Sequence, residues 1–154
     1  MSALLQQMSL GIEQLVAQTR SSLVEIRSGA GGIGSGVVWH SDGLILTNAH
    51  VVGKGPVRVR LGNGTEASAR LLAKDDASDV AALVLELEGL IPIGLGDSRS
   101  LQPGQWVLAV GHPWGAKGAA TSGIVIGSGA DLPLSVPPNR EWIVLDLPLR
   151  PGHS

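Results

Sequence analysis

Leu4, Leu5, Met8, Ile12, Leu15 and Val16 recur at three- and four-residue steps, which places them on one face of an amphipathic helix over residues 3 to 19. Such a stripe needs cover, and docking on the rest of the chain is the simpler expectation, with a neighbouring subunit the other. After Arg20 the period changes. Short apolar runs bounded by Gly, Asp, Asn and Pro predict strands at 22 to 28, 35 to 40 and 43 to 47, then at 56 to 61, 66 to 74 and 79 to 86. In the fourth of these, Val57, Val59 and Leu61 alternate with Arg58 and Arg60, so the arginines are expected on a solvated face. Residues 89 to 105 are dense in Gly and Pro and read as a linker. Beyond it, strands are expected near 106 to 112, 120 to 128 and 141 to 146. The chain is therefore all-β apart from its first helix, organised as a helix (1–20), a six-stranded unit (21–88), a linker (89–105) and a three-stranded, incomplete second unit (106–154).

Composition narrows the function classes. With 44% apolar and 16% charged residues over 154 positions, the chain has the means to form a packed core. A net charge of -2 leaves no basic field for a phosphate backbone, so no nucleic-acid partner is expected. The aromatics are Trp39, Trp106, Trp114 and Trp142, too few and too scattered for a base-stacking platform. No cysteine is present, which excludes thiol catalysis and cysteine-zinc sites. Residues 1 to 12 carry no side-chain charge, so a basic region leading an apolar signal is absent, and no apolar run is long enough to span a bilayer. As written the product reads as soluble and cytoplasmic, its true compartment left open.

Three motifs invite other chemistries. Gly29, Gly31 and Gly34 spell G-x-G-x-x-G, but a β-like run follows and no acidic residue stands about 20 positions on, so a glycine-rich turn is the better reading than a dinucleotide site. Gly96-Asp97-Ser98 imitates a nucleophile loop, yet Arg99-Ser100 follows where glycines are needed, so a linker turn is expected. His40, His50, His112 and His153 lack metal-ligand spacing, and neither a metal nor a cofactor is expected.

The chemistry concentrates in three other places. Thr47-Asn48-Ala49-His50-Val51-Val52 sets a histidine directly after an apolar strand, in a segment able to make one helical turn. Asp79 heads the apolar run Val80-Ala81-Ala82-Leu83, where desolvation demands a partner such as a histidine N–H. Arg150-Pro151-Gly152-His153-Ser154 forms a sharp turn presenting a serine. A serine becomes a nucleophile when an imidazole takes its proton, and the imidazole needs a carboxylate to fix its tautomer and stabilise its cation. His50, Asp79 and Ser154 supply those groups.

These segments, in this order, resemble the trypsin-like serine peptidases and, within them, the Deg/HtrA branch. Ser35-Gly36-Val37-Val38 with Gly43 to Val52 resembles the family's histidine motif, and Asp79 to Leu83 its aspartate motif. Gly96 to Gly104, Val110-Gly111-His112-Pro113-Trp114-Gly115 and Thr121 to Val125 are similar to the stretches entering the second barrel, and Asp146 to Ser154 to the approach to the nucleophile. The resemblance covers roughly residues 10 to 154. It implies two β-barrels, a triad of His50, Asp79 and Ser154, and an oxyanion hole made of the Gly152 and Ser154 backbone N–H groups. It also implies that Leu149 helps line the primary specificity pocket and favours a small or medium apolar residue there. Unfolded or extended polypeptides as substrates and a homotrimeric assembly come with the same likeness.

The sequence departs from the family's pattern at two points. His153 stands where the family often has Asn or Asp. The family's nucleophile is followed by Gly-Gly-Pro and by strands that complete the second barrel, whereas this sequence stops at Ser154. A terminal carboxylate beside the oxyanion site opposes catalysis, so weak or no activity is expected of the 154-residue chain itself. The expected function is that of a serine endopeptidase working through an acyl-enzyme. The alternative is a non-catalytic module that holds extended peptides or assembles on the same fold.

Overall fold

The computed structural model describes residues 2–29, 32–129, 132 and 141–154. Its first sheet is built by alternation. In β1 (Leu23–Ser28), Val24 and Ile26 point inward, and they meet Val38 of β2 (Ile33–His40), Ile45 of β3 (Leu44–Thr47), Val57 and Val59 of β4 (Val57–Leu61) and Leu83 and Leu85 of β6 (Val80–Leu85). β5 (Glu66–Asp75) supplies the small Ala67 and Ala69 to the same core. All pairings are antiparallel, and because β1 pairs with both β2 and β4 the order β1-β2-β3-β6-β5-β4 closes into a barrel. Each fully buried aliphatic side chain contributes about 1.5–3 kcal/mol. Truncating Ile26 or Leu83 to alanine is expected to cost about 2–5 kcal/mol, because the closed ring has little room to collapse onto the cavity.

The strands agree with the sequence pattern to within two residues. Two strands differ by that much: the last, expected from 141, starts at Ile143, and β2 starts at Ile33, where Gly34 pairs with Ile26 and the end of the glycine-rich stretch is drawn into the ladder by its neighbour. Gly31 of the G-x-G-x-x-G pattern lies outside the described residues. Arg58 is exposed as expected, but Arg60 is only partly so and is held by Glu66.

Helix α1 (Ala3–Ser22) begins with Ser2 accepting the Leu5 N–H and runs three residues further than its apolar pattern required. Its stripe finds only part of the cover expected within the chain, at the partly buried Ile12 and Val16. Leu4, Leu5, Met8 and Leu15 are exposed, and Ser22 is the buried residue. Attachment comes at the last turn, where Arg20 donates to the carbonyls of Gly118 (2.7 Å) and Lys117 (3.3 Å).

The chain divides into two compact units. One takes in Met1–Ile93, Val110–Ala119 and Arg150–Ser154; the other Gly94–Ala109 and Ala120–Leu149. The three-stranded sheet has the order β7 (Trp106–Gly111), β8 (Ala119–Ser128), β9 (Ile143–Asp146). In the second unit Val125 is buried, held by backbone bonds to Gly104 and Gln105, while Ile124, Ile126, Ile143, Val144 and Leu145 are exposed. The Gly96-Asp97-Ser98 motif is a turn there, with Asp97 accepting the Arg99 N–H at 3.0 Å. Among the described residues no helix is long and apolar enough to cross a membrane.

Candidate active site

The pairing of β3 with β6 brings two of the singled-out residues together. Thr47 lies opposite Ala81, so the chain just past β3 and the chain just before β6 emerge side by side. Past β3, a 3-10 turn over Ala49–Val51, pinned by buried Ala49 and Val52, carries His50 outward. Before β6, Asp79 adopts a left-handed backbone (φ 52°), a conformation aspartate tolerates better than most residues and one that favours local strain at functional positions.

The Asp79 carboxylate collects three donors. It accepts the His50 backbone N–H at 3.0 Å, the His50 ring Nδ1 at 2.8 and 3.0 Å, and the Asn48 side-chain amide at 3.1 Å. The His50 backbone bond, then the ring bond, holds the Asp79 carboxyl below the usual carboxylate range, with Asn48 adding to the effect and desolvation opposing it. An ionised carboxylate can only accept, so Nδ1 is the donor, and in the neutral ring Nε2 is then the nitrogen with the lone pair. The partner expected for Asp79 is present, but the burial expected of it is not: its side chain is 45% exposed and that of His50 58%. Hydrogen bonding rather than desolvation defines this carboxylate. Asn48, quoted in the sequence motif without a role, is the residue that steadies it, also reaching the Asp79 carbonyl at 3.2 Å. Two donors flanking a histidine turn two residues apart were the available signal.

Ser154 lies in the same compact unit as His50 and Asp79. Its carbonyl accepts the Ser35 N–H at 2.7 Å. A Cβ placed on Gly34 would collide with the Val51 side chain and come within 2.8 Å of the Ser154 carbonyl, so glycine alone lets β2, the His50 turn and the 150–154 turn approach so closely. Among the described residues the Ser154 hydroxyl makes no hydrogen bond to His50. Gly152 is buried with φ 97°, and a Cβ there would run into the His112 carbonyl. The turn is closed by His153 N–H on the Arg150 carbonyl (3.0 Å) and by the Arg150 N–H on His153 Nδ1 (3.0 Å). His153 Nε2 is buried and has no partner among the described residues. Leu149 falls in the other unit, exposed, its N–H on the Leu147 carbonyl.

Ser35 and His112 were quoted in motifs without a role, and both are buried against the 150–154 turn. Burial pushes the His112 imidazole below the ordinary histidine range; nearby Glu25 opposes the shift and Lys117 adds to it. A cavity of about 540 Å³, lined in part by Arg20, Glu25, Arg60, Leu90 and His112, does not include His50, Asp79 or Ser154. No cluster of three or more His, Asp or Glu arranged for a metal exists among the described residues.

The sequence profile of the trypsin-like peptidase domain matches residues 34–154, which takes in β2 from its second residue, the His50 turn, Asp79 and the 150–154 turn. The chain belongs to the trypsin-like peptidase family. Within that family its likeness is to the Deg/HtrA serine endoproteases. It is 41% identical over 125 residues to a probable periplasmic serine endoprotease DegP-like of Marinomonas, covering 79% of this chain and 26% of that protein. It is 39% identical over 145 residues to a protein of the same description from Pseudomonas fluorescens, covering 92% and 30%. The chain thus spans between a quarter and a third of the length of these relatives. Among solved structures, it superposes on an HtrA-type protease, AlgW with tripeptide, with a TM-score of 0.79 and 29% identity over 90% of this chain and 46% of that one. The serine endoprotease from Yersinia pestis gives a TM-score of 0.78 at 29% identity, over 92% and 50%. The trypsin-like peptidase reading of the barrel and helix agrees with these likenesses.

Proposed function

We propose that this protein is a serine endopeptidase in which Ser154 attacks the scissile carbonyl, His50 Nε2 takes the serine proton and returns it to the leaving amine, and Asp79 holds His50 in the Nδ1–H tautomer. The Gly152 and Ser154 amides receive the oxyanion, and Leu149 contributes to the pocket for an apolar residue before the cleaved bond. The observation that carries this reading is the double hold of Asp79 on His50, at the backbone amide and at ring Nδ1 (3.0 and 2.8 Å), which leaves Nε2 free as a base. The absence of a Ser154–His50 hydrogen bond is compatible with it, since catalytic bonds are often long before substrate arrives.

The test is labelling of the full-length protein with a fluorophosphonate. Modification of Ser154 that disappears in His50→Ala supports the mechanism; a folded protein that binds peptides without labelling turns the reading towards the peptide-holding alternative. Extended segments of unfolded polypeptides are the proposed substrates, by likeness to the Deg/HtrA proteases. The relatives' names place them in the periplasm, and the same compartment is proposed here in place of the cytoplasmic expectation; cell fractionation decides it. A homotrimer is proposed on the same likeness, supported by the exposed Leu4, Leu5, Met8 and Leu15 of α1. Light scattering over a concentration series tests it, and a monomer throughout removes it.

A further inference from the structure

Every polar atom of Ser35 is engaged. Its carbonyl accepts the Thr47 hydroxyl (2.7 Å), its N–H donates to the Ser154 carbonyl (2.7 Å), and its hydroxyl donates to the Gly152 carbonyl (2.6 Å). The same hydroxyl accepts the His112 backbone N–H (3.0 Å) and lies 3.2 Å from His112 Nδ1. His112 N–H also reaches the Gly152 carbonyl, at 2.9 Å. Both residues are 7% exposed, so water does not substitute for these partners cheaply. The adjoining peptide is held separately, by the Trp114 N–H on the Pro151 carbonyl at 2.9 Å.

A serine hydroxyl has one proton to give. The 2.6 Å contact assigns it to Gly152, and His112 Nδ1 at 3.2 Å must then bring a proton of its own, or two lone pairs face each other. We propose that Ser35 and His112 are positioning residues for the peptidase site: His112, as the Nδ1–H tautomer, fixes the Ser35 hydroxyl on the Gly152 carbonyl, and that contact sets the turn bearing Ser154 and the Gly152 amide. This rests on the reading of Ser154 as nucleophile and of Gly152 as an oxyanion donor. Burial favours the neutral form of His112, in which a single ring proton sits on one nitrogen. Neither residue touches substrate in this scheme. Their effect runs through the placement of donors that act on the transition state, so it falls on kcat.

The experiment compares Ser35→Ala, His112→Leu and His112→Asn in the full-length protein on one fluorogenic peptide, with thermal melts to confirm folding. Ser35→Ala and His112→Leu are expected to lower kcat by roughly 10- to 100-fold with KM within about twofold, since small misplacement of reacting groups has effects of this order. His112→Asn, whose side-chain amide restores a donor at the same reach, is expected to recover most of the rate. A folded Ser35→Ala with unchanged kcat, or His112→Asn no better than His112→Leu, overturns the proposal. Nitrogen-15 NMR of the wild-type histidine rings reads the clamp without any turnover. His112 protonated on Nδ1, with the Gly152 resonances displaced in Ser35→Ala, supports it; a proton on Nε2 overturns it, including where the variants fail to fold. Absence of Ser154 labelling in the wild type strikes instead at the peptidase reading, and the NMR result then stands alone on the clamp.

Discussion

Asp79 grips His50 at two points, accepting its backbone N–H at 3.0 Å and its ring Nδ1 at 2.8 Å. One carboxylate thereby fixes both where the histidine turn sits and which ring nitrogen carries the proton. Asp79→Asn keeps the size but replaces an obligatory acceptor with a group that also donates, which admits the wrong tautomer. A fall in kcat of about 10⁴-fold is expected, with little change in KM. Steady-state kinetics on a peptide substrate measure it, and a wild-type rate contradicts the assigned role.

Acid should act in two stages. Asp79 is held below the usual carboxylate range by its bonds to His50, so its folded pKa lies under its unfolded one. The stability it contributes is complete above the ordinary carboxylate range and is lost as pH falls through the depressed value. His112 is depressed by burial, so its contribution is complete above the ordinary histidine range and begins to fall below that range, as pH drops towards the depressed value. Urea unfolding across a pH series should show both declines. Asp79→Asn is expected to reduce the decline in the carboxylate range, to which Glu66 beside Arg60 also contributes, and His112→Asn to remove that in the histidine range; an unchanged profile in either variant refutes the corresponding assignment.

Gly152→Ala combines a left-handed φ of 97° with a Cβ that meets the His112 carbonyl. The turn must shift, so a lower melting temperature and loss of Ser154 labelling are expected together. The left-handed conformation alone costs a non-glycine residue roughly 1–2 kcal/mol. A variant as stable and as reactive as the wild type is the contrary result.

His153→Asn should stabilise the protein. His153 Nδ1 takes the Arg150 N–H at 3.0 Å, a bond an asparagine oxygen also makes, whereas Nε2 is buried with no partner among the described residues. Leaving such a group unsatisfied costs about 1–3 kcal/mol, so removing it is expected to raise the unfolding free energy by about 1 kcal/mol or more. Chemical denaturation checks the sign.

The strands were legible in the sequence because Gly, Asp, Asn and Pro bound nearly every one, and the alternation of Val57, Val59 and Leu61 with Arg58 and Arg60 gave the inward face directly. The His50–Asp79 contact was legible for a partly different reason than the one that realises it. Sequence reasoning took the apolar run after Asp79 as a sign of burial, but the carboxylate sits at the strand's open end, half exposed, and is defined by donors. The Ser35–His112 contact joins residues 77 positions apart and depends on how the 150–154 turn packs, which no local pattern reports. The exposed part of the α1 stripe was hidden likewise, because periodicity announces an apolar face without saying what meets it.

The closed order of the six strands carries one more consequence. A ring of ladders has no flank from which thermal motion can begin to unzip it, so opening any part means breaking two seams at once. His50 and Asp79 hang from neighbouring staves of that ring, past β3 and ahead of β6. Their mutual distance is thus guarded by the closed ring, and the turn that bears the serine leans on the same ring through the Ser35 N–H and the close approach at Gly34.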